Sequence, residues 1–379
     1  LTKPWSGVLQ RLSRHRLTFL DQLAFELFRL TGRTQLMQCL WLYEKDVDLA
    51  ALDRTYRRLC ALPGNRLIEP SPVPFGRHRW VRASRPLDSV QYNDETLPRS
   101  SLLRWANAHA RMPIDPVGGP AWLLGVQRFS DGSSAVSLVG SHLLFDGVSA
   151  LRSIEAAIDG TPRESAYLPK GARRPIAALV ADLAQALVDV PQTLRALVRL
   201  APPLARRVAH ARRPSPPPAV LSTPAESADG VSLPAVAVMV GAQQWAQRAR
   251  QLGGHKHGLL LAFAARVAMH MGRRRPSDGA VRLVMTVNQR RATDDDRALA
   301  ISFSTLTVDP LPVADDLRSI EQSLKAALRA ITQEPDAMAR LFPVVPWMPR
   351  LATAALLDQM FSYADGATVS CSNLGELPG

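Results

Sequence analysis

Apolar residues recur along this chain at both helical and strand spacing, and the two kinds of segment alternate. Leu17 to Leu30 (LTFLDQLAFELFRL) carries its apolar residues at helical spacing, and Leu36 to Tyr43 reads as a strand. Asp48 is placed to N-cap a helix running to about Ala61, which Pro63 and Gly64 stop. Residues 67–93, rich in Pro, Trp and Arg, read as loop with one short strand. A helix over about Ser101–Arg111 ends ahead of Met112-Pro113. Two strands follow, Ala121–Phe129 and Ser134–Ser141, separated by the turn residues Ser130-Asp131-Gly132. The second runs into His142, a short loop, and a helix from about Val148 to Ile158.

From Arg163 to Arg213 the pattern changes. Ile176, Leu179, Val180, Leu183, Leu187 and Val190 form the stripe of an amphipathic helix. Pro191 can open a second helix through Leu200, which Pro202-Pro203 terminates. PSPPPAV (Pro214–Val220) is then an extended linker. The second half begins with a strand, Ala235–Val240, and helices over about Ala242–Leu252 and His257–Gly272. Val281–Val287 and Ser302–Val308 are strands, Asp315–Ile331 a long helix, and Ala367–Cys371 a last strand. The predicted architecture is α/β with two domains: residues 1–162, a basic amphipathic helical crossover and Pro-rich linker over 163–220, and residues 221–379.

Charge sharpens the picture of the crossover. The whole chain of 379 residues carries a formal +13. Residues 163–213 hold ten Arg or Lys against three acidic residues, so about half of the excess lies there. The segment can pack on the domains, lie on an anionic membrane with its apolar face down, or bind nucleic acid. No helix-turn-helix, RNA-recognition or zinc motif accompanies the charge, which argues against the last. Arg far outnumbers Lys, a skew that a GC-rich genome would also produce. No apolar run reaches the ~20 residues needed to span a bilayer; Gly258–Gly272 is broken by Arg266 and His270. Cys39, Cys60 and Cys371 are odd in number and widely spaced, and read as reduced core residues of a cytoplasmic protein.

The candidate chemistry sits where the strand Ser134–Ser141 ends. His142, Asp146 and Gly147 form H-x-x-x-D-G. Removing a proton from a hydroxyl or amine near neutral pH suits a neutral imidazole. A carboxylate four residues on can pin the turn that aims the ring, and the following glycine permits a tight passage into the helix. Alone, this short pattern also fits a structural histidine. Ser141, His142 and Asp146 contain the residue types of a hydrolase triad, but neighbouring strand residues point to opposite faces and no G-x-S-x-G elbow is present. His255 and His257 form H-x-H without a well-spaced third ligand, Asp294-Asp295-Asp296 reads as a solvated loop, and Cys371 has nothing beside it to activate a thiol.

The motif resembles the HHxxxDG signature of the condensation-domain and chloramphenicol-acetyltransferase-like superfamily. Within it, the chain looks most like the bacterial wax ester synthase/diacylglycerol acyltransferase family. Leu17-Thr18-Phe19-Leu20-Asp21 is similar to that family's LSPLD opening, Asp48–Arg66 to its first helix and arginine-bearing turn, and Pro120-Ala121-Trp122 to its PLW element. Thr286–Arg290 (TVNQR) resembles its PVSVR strand end and Ser370–Pro378 its SNxPGP-like stretch. Two positions depart: the first His of the doublet is Ser141, and His255-Lys256-His257-Gly258 lacks the family's Asn-Asp pair.

The resemblance implies a two-domain chloramphenicol acetyltransferase-like (condensation-domain-like) fold, with the active tunnel between the domains. It implies that His142 deprotonates an acceptor hydroxyl, which attacks the thioester of an acyl-CoA. Asp146 would hold the loop by pairing with an arginine, Arg66 or Arg290. The acceptor would be a lipophilic alcohol or diacylglycerol, and no metal or redox cofactor is implied. An amine acceptor or a carrier-protein thioester is the alternative, as is a degenerate relative that binds acyl chains without turnover. The setting would be cytoplasmic, with peripheral membrane contact through 173–213.

Overall fold

The computed structural model describes residues 15–32, 35–83, 90–161, 167–210, 236–290, 295–333, 339–349, 351–354 and 368–375. Two compact units divide the chain: Leu1–Arg199 with Ala292–Leu299 and Phe342–Met348, and Leu200–Arg291 with Ala300–Leu341 and Pro349–Gly379.

In the first unit, helix α1 (Phe19–Thr31) starts at Thr18, whose hydroxyl accepts the Asp21 N–H while Asp21 accepts the Thr18 N–H. Strand β1 (Leu36–Tyr43) follows, then α2 (Leu49–Ala61), capped by Asp48 as its sequence predicts. Strands β2 (Arg66–Glu69) and β3 (Arg79–Arg82) pair antiparallel, and β4 (Gln91–Leu97) leads toward α3 (Leu102–Ala110). Strands β5 (Trp122–Phe129) and β6 (Ser134–Ser141) are joined at Gly132, whose φ of 84° belongs to the left-handed region that glycine tolerates. Helix α4 (Gly147–Asp159) follows. The main sheet runs β1-β6-β5-β4, antiparallel except for the parallel β4–β5 pair.

Residues 67–93 thus contribute to three strands rather than one. β2 and β3 find each other through tertiary pairing, and β4 is a largely exposed polar edge strand without the alternation that marks a buried face. β6 is central and buried at every position, with both faces covered. On one face, Ser137 hydrogen-bonds His109 of α3 at 2.9 Å and Gln38 of β1 at 2.8 Å. On the other, Val136 and Leu138 meet the side chains of α2 and α4. Gly140 continues that apolar face, covered by Trp122 and Phe145, whose rings stack at 3.8 Å.

Helix α5 (Pro175–His210) is continuous, so Pro191 does not start a new helix and Pro202-Pro203 does not end one. Pro191 is solvent-exposed. Its missing N–H is a local loss of about 3 kcal/mol that does not outweigh the anchoring of the preceding turns. The stripe is oriented opposite to the packing expectation: its apolar residues, apart from the part-buried Val190, face solvent, and the buried side is Asp182, Gln185, Asp189 and Thr193 with interspersed alanines.

In the second unit, α6 (Ala242–Gln251) and α7 (Lys256–His270) precede β7 (Val281–Asn288), β8 (Ile301–Val308), α8 (Arg318–Gln333) and β9 (Thr368–Cys371). The sheet order is β8-β7-β9, with β9 parallel to β7. Leu261, Ala265, Leu283, Met285, Leu317 and Ile320 form its core. Residues 236–240 form no strand: they are exposed and unpaired to any ladder, and Ala235 lies outside the described residues. All three cysteines are free.

A Cβ at Gly140 would collide with the Phe145 ring and crowd Trp122. Gly140→Ala is therefore expected to destabilise the first unit by about 1–3 kcal/mol, read from the denaturant midpoint. Pairing it with Phe145→Ala should cost less than the sum of the two single losses, because one ring causes the clash. Strict additivity would show that the stack does not constrain this strand.

Candidate active site

β6 ends at Ser141, and the chain turns at once through His142–Asp146 into α4. Several hydrogen bonds hold the turn. His142 donates its backbone N–H to the Gln35 carbonyl at 2.7 Å. Asp146 is the N-cap of α4: its Oδ1 accepts the Ser149 N–H at 2.9 Å, and its own N–H reaches the Ser149 hydroxyl at 3.1 Å and the Ala298 carbonyl at 3.0 Å. Gly147 is the first residue of that helix. Among the described residues nothing hydrogen-bonds the half-buried His142 ring. Ser141 is buried, with its hydroxyl accepting the Leu143 N–H at 3.4 Å, and Asp146 caps the helix; the three do not line up as a triad.

Arg66 acts differently from the ion pair expected for it. Only 2% exposed, it donates Nε to the Leu144 carbonyl at 2.9 Å, and Nη1 to the Tyr167 hydroxyl at 2.9 Å and the Asp296 carbonyl at 2.8 Å. Its guanidinium also lies 5.0 Å from the centre of the Trp80 ring. A buried cation must find acceptors, and here they are neutral oxygens of the turn and of a distant segment. Arg66 therefore holds the motif loop by its backbone rather than by pairing with Asp146. Arg290 belongs to the second unit, where its backbone N–H and Nη1 donate to Asn288 Oδ1 at 3.1 and 3.4 Å.

The segment 295–299 is the unforeseen part of the site. Asp296 and Ala298 present their carbonyls to Arg66 and to the Asp146 N–H, and Leu299 donates its N–H to Asp21 Oδ1 at 3.2 Å. Arg297 pairs with Asp295 at 2.6 Å, which raises its pKa, with the fields of Asp21 and Asp146 adding to the effect. Asp21 thus caps α1 with one oxygen and holds this segment with the other. Thr18-x-x-Asp21 could be read as a capping box from sequence. The partnership with Leu299 has no local signal, because 278 positions separate the two residues. Asp295 and Asp296 serve this network; Asp294 lies outside the described residues. His255 lies 3.4 Å from Glu321, and burial pushes the Cys371 thiol up.

An apolar cavity of about 420 Å³ lies between the sheet and helices α2 and α4. Trp41, Leu52, Leu124, Val136, Leu138 and Ile154 line it. Along the same face of β6 come Leu138 at the cavity, Gly140 beneath the Trp122–Phe145 stack, and then the His142 turn. In the second unit, the strand ends Thr286–Arg290 and Ser370–Gly375 are brought together, with the Thr286 and Ser372 hydroxyls 3.2 Å apart.

No protein-family model matches this chain, and no curated protein matches it. Solved structures do resemble it. The first condensation domain of the CDA synthetase matches 96% of this chain and 80% of its own, at 13% identity and a TM-score of 0.54. The starter condensation domain of rhizomide synthetase, as a mutant in a product-released conformation, matches 88% and 75%, at 14% identity and a TM-score of 0.48. The fold is therefore the mixed α/β fold of condensation domains; at such identity the likeness is one of fold.

Burial raises the Asp21 carboxyl from 3.8 to about 6, against the lowering effect of the Thr18 hydrogen bonds and of Arg66. Between these values the folded protein holds a proton that the unfolded chain has released. Folding stability from this group should fall by about 3 kcal/mol as pH rises through that window, then level off. Denaturant midpoints taken across pH 4 to 7 should lose this slope in Asp21→Asn. An identical slope in both proteins would mean that Asp21 titrates ordinarily.

Proposed function

We propose that this protein transfers an acyl group from a thioester to a hydroxyl or amine acceptor, with His142 as general base. The observation that carries the reading is the position of the imidazole. It stands at the end of a central strand, on a turn held through its backbone, in a fold of the condensation-domain type. A base must be aimed to within fractions of an ångström, and a turn fixed at Leu144 and Asp146 supports such aim.

In the reaction, a ring nitrogen of His142 takes the acceptor's proton as its oxygen or nitrogen attacks the thioester carbonyl. Collapse of the tetrahedral intermediate breaks the C–S bond. The thiolate leaves and takes the proton back from the imidazolium. Asp146 stays outside the proton traffic, because its carboxylate is engaged in capping α4.

The finer reading is a fatty acyl-CoA donor and a lipophilic alcohol or diacylglycerol acceptor, giving wax-ester or triacylglycerol-type products. The apolar cavity and the sequence resemblance support it. Such a donor implies a cytoplasmic setting. The second reading, a carrier-bound thioester and an amine acceptor, is favoured by the fold likeness to condensation domains. Donor panels of free acyl-CoA against acyl-loaded carrier protein separate the two.

Acceptor-dependent release of CoA from a long-chain acyl-CoA should fall about 10²–10⁴-fold in His142→Ala. Undiminished release in the mutant would remove His142 from the mechanism, and saturable binding without release would favour a non-catalytic acyl-binding protein. Ala51 lines the cavity, and Ala51→Phe should shift the donor preference toward shorter chains while leaving short-chain turnover intact. An unchanged chain-length profile would separate the cavity from the reaction.

A further inference from the structure

Helix α5 is built inside out for a helix of a free-standing globular protein. Over 178–196 the side facing the first unit consists of Ala178, Ala186 and Ala196 with Asp182, Gln185, Asp189 and Thr193, all buried. Its acids are neutralised there: Arg16 and Arg173 each reach Asp182 at 3.0 Å, and Arg77 grips Asp189 with two nitrogens at 2.8 and 3.1 Å. Thr193 donates its hydroxyl to the Pro343 carbonyl at 3.0 Å. These anchors, of which those of Arg16, Arg77 and Thr193 are long-range, fix which side of the helix faces inward.

The opposite side carries Ile176, Val180, Leu183, Leu187, Leu194 and Val198, with Ile176, Leu187 and Val198 exposed by 79%, 73% and 72%. At 100° per residue these six fall within one stripe, about 33 Å long from end to end. Burying such side chains is favourable, so leaving a row of them in water forgoes a large stabilisation. A contiguous apolar row of this kind marks an interaction surface.

The charges around the stripe select its partner. The exposed charged residues between 170 and 199 are Lys170, Arg174, Arg195 and Arg199, all cationic, because the helix has turned both of its acids inward. A second copy of the chain laid on this face, parallel or antiparallel, would bring arginines against arginines. A bilayer bearing anionic headgroups accepts both the aliphatic row and its basic border. Among the described residues no helix is long and apolar enough to cross a membrane, so the helix would lie along the surface.

We infer that the outer face of α5 is a docking surface for an anionic lipid bilayer, with the aliphatic row at the acyl boundary and the arginines at the headgroups. The inference stands on this helix alone and does not rest on the acyl-transfer reading.

The full chain is tested by co-sedimentation with vesicles of phosphatidylcholine, with and without phosphatidylglycerol. Binding is expected only to the anionic vesicles and should weaken as salt rises. The double variant Leu187→Glu/Leu194→Glu should bind at least about tenfold more weakly, since two buried leucines are lost. Its thermal midpoint should be unchanged, because both side chains already face solvent. Equal sedimentation of wild type and variant would overturn the inference. So would a wild-type dimer that ignores vesicles and that the same substitutions dissociate. So would a monodisperse monomer that binds no vesicle, which would mean that part of the chain itself covers the row.

Discussion

The buried guanidinium of Arg66 is the interaction on which the first unit's site depends. Removed from water, it has to satisfy its donors internally, and it does so on the Leu144 carbonyl, the Tyr167 hydroxyl and the Asp296 carbonyl. Each acceptor belongs to a separate stretch of chain. The cation therefore ties the turn after β6 to Tyr167 and to residues 295–299. Breaking such a network leaves a buried charge without partners, which is worth about 3–5 kcal/mol in comparable buried pairs.

Asp21 and Asp146 complete this arrangement from the opposite sign. Each carboxylate caps a helix, and each residue also bonds the segment Ala298–Leu299, one through its side chain and one through its backbone. Helix N-termini favour negative charge, so two capping acids here share one location with Arg66 and Arg297. The consequence for His142 is mechanical. The ring is carried by a turn whose neighbours are committed to structure, which leaves the imidazole itself uncommitted.

β6 divides the labour between its two faces. One face uses Ser137, His109 and Gln38 to bind α3 by hydrogen bonds. The other is apolar, with the cavity at Leu138 and the aromatic stack over Gly140. Helix α5 makes a comparable division with the opposite sign, hydrogen bonds and ion pairs inward and aliphatics outward.

Periodicity and capping chemistry were enough to locate β1, α2, β5, β6 and α4 to within a residue or so, because each has a local signature in its own side chains. Asp48 announces a helix start, and H-x-x-x-D-G announces the turn at the end of β6. The resemblance in motif order pointed to the two-domain fold class. Local signals could not reveal β4, whose polar residues show no alternation, nor the absence of a strand at 236–240, where apolar residues found no ladder. Nor could they orient α5. An amphipathic helix has two faces, and the tendency to bury the apolar one is overridden here by Arg16 and Arg77, which come from other parts of the chain, and by Arg173 just ahead of the helix, which together bind its acids. The part played by residues 295–299 was hidden for the same reason. Sequence determines which groups need a partner; only the folded chain decides which partner arrives, because hydrogen bonds and ion pairs are satisfied by proximity in space rather than along the backbone.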